Sequence, residues 1–243
     1  MNILICKDYN EMSNVAANLL EEEIRKKPNL TLGLATGGTP IGLYENLIKK
    51  HKESGLDFSN VKSFNLDEYI GLNKNNEQSY YYFMKENLFN HINIKEENTN
   101  IPSGVANDIQ KECIEYENLL SQNGIDVQIL GIGANSHIAF NEPADIFSNI
   151  TSLVELTEST INANARFFDS IDDVPTQAIS MGIGSIFRAK KIVLLASGIN
   201  KAQAIYDTLF GDIDPKKPSS ILKLHNDVTL ILDEESASLI NKK

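Results

Sequence analysis

The sequence predicts an α/β protein built on one largely parallel, open sheet with helices on both faces. Three observations predict it. Strand-like segments alternate with segments whose apolar residues recur at helical spacing. The strand segments are near-continuous apolar runs, as in sheets covered on both faces, rather than strict two-residue alternations. Several end in glycine or an acidic pair and pass straight into polar residues, where open α/β sheets bind their ligands.

Residues 2–6 form the first short strand. In residues 11–27, Met12, Val15, Ala16, Leu19, Leu20 and Ile24 mark an amphipathic helix that Pro28 ends. Residues 30–35 are the next strand. The turn Thr36-Gly37-Gly38-Thr39-Pro40 follows, with Thr39 suited to the N-cap of a helix, Pro40 to its first position and Gly55 to its stop. Residues 61–66 give a strand that runs into Asp67 and Glu68 in a strand-end loop. Ser79 caps a helix through Phe89, and residues 109–120 give another. Residues 127–130 are a buried strand, 153–156 a short one, and 161–169 are ambiguous. Residues 178–181, 192–196 and 228–232 complete the strands. The segment 144–174 is the least regular and reads as a lid over the site.

A chain of 243 residues buries a large core and fits one domain, 1–243, with no repeat or linker to divide it. A net charge of −11 argues against nucleic acid or an anionic membrane as partner, though local cations and helix ends still allow an anionic small molecule. No stretch has the length of a membrane span, and the N-terminus lacks a signal-like apolar core. Cys6 and Cys113 lack CxxC spacing and read as buried free thiols of a reducing compartment. The expectation is a cytoplasmic protein.

The chemistry concentrates in Gly131–Pro143, GIGANSHIAFNEP, where an apolar strand breaks on glycines and is followed by Asn135, His137 and Glu142. Glu142 lies five residues after His137 and could orient the ring and hold it charged. His51, His91 and His225 are scattered without an HxxxH pair, so a metal site is rejected. Of Asp67 and Glu68, whose side chains diverge, one is expected to be catalytic. Thr36, Gly37, Gly38 and Thr39 could cradle a phosphate at a helix start, or be a tight turn with no ligand. They match neither a dinucleotide fingerprint nor a P-loop. Lys201 starts a helix after Ser197-Gly198, an unfavourable place for a cation unless an anion joins it; a solvated lysine is the alternative. Arg166, beside Phe167 and Phe168, could close on a phosphate, or pack its stem on Phe168.

At these residues the chain resembles the glucosamine-6-phosphate deaminases (glucosamine/galactosamine-6-phosphate isomerases) over nearly its whole length. The matching segments are ATGGTP (35–40), FNLDEYIGL (64–72), SYYYFM (79–84), GIGANSHIAFNEP (131–143), NARFFD (164–169), MGIGSIFRAKKIVLLASG (181–198), NKA (200–202) and LKLH (222–225). The resemblance implies a modified Rossmann-like fold and conversion of D-glucosamine 6-phosphate and water to fructose 6-phosphate and ammonia, in amino-sugar catabolism. It implies Asp67 as the base that carries a proton from C2 to C1, and His137 as the group that helps open the sugar ring. Glu142 and Asn135 match supporting partners, while Thr36–Thr39, Arg166 and Lys201 match phosphate and substrate contacts. No metal or organic cofactor is implied.

Two departures accompany the match. Asn135 stands where some members have Asp, and a carboxamide can only orient His137 by hydrogen bonding; Ser136 stands where glycine is expected and could crowd the loop. Hexameric members bind N-acetylglucosamine 6-phosphate allosterically through basic residues after NEP. Residues 144–156 here hold no Lys or Arg, so a monomer or small homo-oligomer without that allostery is expected. A sugar-phosphate lactonase on the same fold and a non-catalytic sugar-phosphate sensor remain the other readings.

Overall fold

The computed structural model describes residues 1–240. Strand β1 (Asn2–Cys6) leads into α1 (Tyr9–Lys26), whose N-cap Asp8 accepts a 3.0 Å hydrogen bond from the Glu11 amide. Such a cap contributes about 1 kcal/mol. Met12, Ala16, Ala17, Leu20 and Ile24 form its buried stripe, at the spacing read from sequence. Next come β2 (Thr31–Leu34) and α2 (Ile41–Ser54), the latter ended by Gly55 in the left-handed region at φ 64°. Here the punctuation differs from expectation. Pro40 is the N-cap and Thr39 caps nothing. Instead the Tyr9 hydroxyl, from the start of α1, accepts the Gly42 amide at 2.8 Å and donates to the Gly38 carbonyl at 3.1 Å. A tyrosine distant in sequence does the capping, and Thr39 turns to the cavity described below.

β3 (Lys62–Asn65) stops after four residues, and Asp67 and Glu68 do not lie in a loop. They begin β4 (Asp67–Tyr69), a strand of a different sheet. Leu66 is the joint between the two: its amide donates to Leu34 in β2, and its carbonyl accepts from the amide of Met181. After α3 (Tyr80–Asn87), capped by Ser79 as expected, come β5 (Thr99–Asn100), α4 (Ile109–Asn123) and β6 (Val127–Leu130). The two-residue β5 is too short to leave a sequence signal. β7 (Ser152–Glu155), α5 (Glu158–Asn164) and β8 (Gln177–Ser180) follow, so the least regular segment holds the short strand expected near 153–156 and a helix where the sequence was ambiguous. The chain closes with α6 (Ile183–Phe187), β9 (Lys191–Ala196), α7 (Ala202–Phe210) and β10 (Val228–Asp233).

Among the described residues the main sheet has seven strands, ordered β1-β10-β9-β6-β2-β3-β5, with every pairing parallel. Its central strands are buried over almost their whole length, which explains their largely apolar character. Helices flank the sheet; Tyr116 of α4, for instance, meets Phe64 of β3 edge-on at 6.0 Å. A second sheet, β4-β8-β7, is antiparallel, where the sequence predicts a single sheet. Cys6 and Cys113 are free and buried. No helix among the described residues is long and apolar enough to cross a membrane.

Buried Glu117 of α4 fixes the root of the 144–174 segment. It accepts from the Thr151 amide and hydroxyl at 3.0 and 2.8 Å, from Ser185 at 2.7 Å, and from Arg188. Burial alone would push this carboxylate up, but the donors outweigh it and hold it below the usual range.

Candidate active site

A cavity of about 620 Å³ opens at the carboxyl ends of β9, β6, β2 and β3, adjacent strands of the main sheet. Thr36, Gly37, Gly38, Thr39, Asp67, His137, Arg166 and Lys201 all line it. Residues from five separate stretches of sequence therefore meet in one place. Asn135 and Glu142 do not reach the cavity wall and stand behind His137.

The loop after β2 is held by its backbone. Gly37 takes φ 95°, a conformation that glycine adopts without strain, and Tyr44 donates to the Ala35 carbonyl at 2.5 Å. Two cations converge on this loop. Arg166 brings its guanidinium to 4.0 Å from where a Cβ on Gly38 would stand, within van der Waals reach of the loop. Lys201 sits at the start of α7; burial and then the Arg166 charge lower its pKa. Two like charges facing one loop favour a dianionic group between them. The loop carrying Lys201 is itself tied down by Asp233, at the end of β10. That carboxylate accepts from the Ser197 hydroxyl at 2.5 Å and from the Gly198 amide at 2.9 Å.

Asp67 and Glu68 point to opposite sides, as alternation along a strand requires. Asp67 points to the cavity and is 5% exposed. Burial, and then the Glu68 charge, push it up to about 8. Glu68 turns away to the start of α3, where it accepts the amides of Tyr69, Tyr80 and Tyr81, each at 2.9 Å. Burial still pushes it up to about 7 against those donors.

His137 fits because residue 133 is glycine: a Cβ there would lie 2.5 Å from the imidazole. Its Nδ1 lies 3.4 Å from Glu142 Oε2, within ion-pair range, and makes no hydrogen bond among the described residues. The role expected of Asn135 changes. Its carboxamide does not touch the ring. It accepts the His137 backbone amide at 3.2 Å and donates to Glu142 Oε2 at 2.7 Å, so it aims the carboxylate rather than the imidazole. Burial raises the Glu142 pKa, but His137, Thr160 and Asn135 outweigh it and leave it lowered. The loop is bent to do this: Ser136 and Ala139 take φ 72° and 51°, left-handed values costly for residues with a Cβ. Buried Ser136 is accommodated in that conformation, and its carbonyl accepts the Ser219 amide at 2.9 Å.

Sequence reasoning assigned no role to three groups at the site. Tyr9 lines the cavity and pins the turn after β2. Thr160 and Asn164, on α5, reach Glu142 and the Tyr69 hydroxyl respectively, the latter at 2.9 Å. No local pattern marks them, since all three act on partners far away in sequence. Tyr80 and Phe140 stack at 6.1 Å and 18° as an aromatic wall of the cavity. Among the described residues no group of three or more His, Cys, Asp or Glu side chains is placed to hold a metal ion.

Comparison with known proteins places these features in context. Residues 9–231 match the family model described as glucosamine-6-phosphate isomerases/6-phosphogluconolactonase. A glucosamine-6-phosphate deaminase of Clostridioides difficile (strain 630) is 59% identical, the match covering 100% of this chain and 98% of the relative. One from Clostridium botulinum (strain Alaska E43 / Type E3) is 57% identical over the same shares. A solved structure of a monomeric glucosamine-6-phosphate deaminase superposes with a TM-score of 0.96 at 46% identity, covering 98% of this chain and 100% of that one. The 6-phosphogluconolactonase of Trypanosoma cruzi superposes at 0.77 with 21% identity, covering 98% and 96%, and so shares the fold.

Proposed function

We infer the reaction from one premise, that this chain belongs to the glucosamine-6-phosphate isomerase and 6-phosphogluconolactonase family. Within that family it is an enzyme of the deaminase branch, converting D-glucosamine 6-phosphate and water to D-fructose 6-phosphate and ammonia. The observation that carries the reading is the meeting of a buried carboxylate, Asp67, with a carboxylate-backed imidazole, His137, in a cavity that also holds Lys201 and Arg166.

The phosphate lies between Lys201, Arg166 and the amides and hydroxyls of Thr36–Thr39. Its binding energy, remote from the reacting carbons, positions them. His137, held by Glu142, moves the proton on the ring oxygen as the pyranose opens to the aldehyde. Asp67 then takes the C2 proton; the C2–H electrons form the C1–C2 double bond, and the aldehyde oxygen takes a proton from water to become an enol. Returning the Asp67 proton to C1 draws the nitrogen lone pair into a C2–N double bond, and loss of one N–H proton to water leaves an imine at C2. Water adds to this carbon, ammonia leaves, and the ketone remains. Burial pushes Asp67 up to about 8, which makes it basic enough to accept a carbon-bound proton, and it is mostly ionised above that pH.

The substrate is a small sugar phosphate, and the protein works as a monomer without activation by N-acetylglucosamine 6-phosphate. The monomeric deaminase structure supports the first point and the absence of Lys and Arg from 144–156 the second. A sigmoidal rate curve relieved by that ligand would refute it. The 144–174 segment acts as the lid of a single domain, and two buried free thiols suit a cytoplasmic setting.

The test is product release from D-glucosamine 6-phosphate with chelator present and no added metal, beside an Asp67→Asn variant. Equal ammonia and fructose 6-phosphate, abolished in the variant, is the expected result. No release by a folded protein that still binds the sugar phosphate would leave a sensor. Failure to bind it would redirect the assay to 6-phosphogluconolactone.

A further inference from the structure

Glu142 uses its two oxygens differently. Oε2 faces the cavity loop, receiving Asn135 at 2.7 Å and lying 3.4 Å from the imidazole. Oε1 receives one side chain only among the described residues, the hydroxyl of Thr160. Thr160 does not belong to the catalytic loop. It is the third residue of α5, inside the 144–174 segment, and is 3% exposed while Glu158, Ser159 and Asn162 of the same helix face solvent. One turn on, Asn164 makes the matching contact to Tyr69 of β4. Residues 160 and 164 lie on one face of a helix, so the two contacts form or break together when α5 moves.

We propose that Thr160 is a positioning residue that couples the seating of α5 over the cavity to the orientation of Glu142, and through it of His137. With α5 seated, Glu142 is nearly enclosed, its side chain 9% exposed, and both oxygens have donors. A buried carboxylate so satisfied is fixed in direction and acts strongly on the adjacent imidazole, because the surroundings screen little. With α5 lifted, Oε1 turns to water, the carboxylate regains rotational freedom, and solvent weakens its hold on the ring. Proton transfer by His137 is then supported fully only when the substrate is enclosed. The inference rests on the reading of His137 and Glu142 given above.

The experiment is a double-mutant cycle on kcat and KM for D-glucosamine 6-phosphate. The variants are Thr160→Val, which keeps the branched shape and removes the hydroxyl, Thr160→Ser, which keeps the hydroxyl, Glu142→Gln, and Thr160→Val with Glu142→Gln. We expect Thr160→Val to lose about tenfold or more in kcat with KM within about threefold, and Thr160→Ser to retain most of the rate. The double variant should be no slower than Glu142→Gln alone to within about twofold, because both substitutions then remove one interaction. Multiplying losses would show that Thr160 acts by general packing and would overturn the proposal, as would a Thr160→Val enzyme of normal rate. A fully active Glu142→Gln enzyme would refute the underlying role of Glu142, and the proposal with it. Should Thr160→Val not fold, Thr160→Ala carries the same cycle.

Discussion

The loops at the proposed phosphate end of the cavity and the loops that carry the proposed acid–base groups are held in opposite ways. After β2 and β9 the backbone is tied by groups with no chemistry of their own: the Tyr9 hydroxyl, the Tyr44 hydroxyl and the Asp233 carboxylate, all well bonded. After β3 and β6 the structure tolerates costs. Asp67 is buried beside another carboxylate, His137 Nδ1 makes no hydrogen bond among the described residues, and two residues with a Cβ adopt left-handed backbone. Satisfied, rigid groups suit a binding surface that must not change during turnover. Unsatisfied and strained groups mark the place where protons move, since a group content in one protonation state makes a poor shuttle.

Substitutions on each side should therefore fail differently, and the largest failure belongs to Asp67. Asp67→Asn should lower kcat by about 10³-fold or more while leaving inhibition by inorganic phosphate intact. A loss of phosphate inhibition in that variant would erase the distinction between the two sides. Lys201→Ala should do the reverse, raising KM by about 10- to 100-fold with a smaller change in kcat and weakening phosphate inhibition in step, as removal of a charged hydrogen bond predicts.

A third effect lies in pH. Burial pushes Asp67 up to about 8 in the folded enzyme, against about 4 when unfolded. The folded state thus keeps a proton that the unfolded state releases, and stability falls as pH rises from about 4 to about 8. Asp67→Asn removes this slope. Thermal melts should show the variant gaining on the wild type by about 3 °C or more at pH 8.5 and almost nothing at pH 4. Glu68→Gln should move the acid limb of kcat/KM to lower pH, because Glu68 helps to hold Asp67 up. An unmoved limb would leave burial as the sole cause.

Smaller effects sharpen the comparison. Tyr9→Phe deprives the Gly38 carbonyl and Gly42 amide of their shared partner, at about 1 kcal/mol, and should raise KM about two- to fivefold with kcat held. Ser136→Gly, on the strained side, should instead stabilise the enzyme by at most about 1 kcal/mol in a denaturant melt, because glycine adopts φ 72° freely but gains freedom when unfolded.

The same contrast governs what could be read from sequence. The turn after β2 was legible as a turn from its glycines and proline, but its capping was not: Thr39 caps nothing, and the tether at Tyr9 is a contact across 29 residues. Asp67 and His137 were legible as residues at apolar strand ends. That Asp67 starts a new sheet was not, since no glycine or proline marks the change at Leu66 and an extended chain reads alike in either sheet. Helix α5 was ambiguous because ESTINAN is rich in Ser, Thr and Asn, which compete with the helical backbone. Its tertiary contacts through Thr160 and Asn164 supply what propensity lacks.

Leu66 also sets a clock. Its amide is locked into one sheet, while its carbonyl locks the Met181 amide beside the other, so a single residue holds both sheets at their junction. In deuterium uptake these two amides should be among the last to exchange, at or near the rate of global unfolding, while those of residues 158–167 exchange early. The proposed base follows this joint directly in the chain, so the joint would hold the aim of Asp67 while the proposed lid opens and closes.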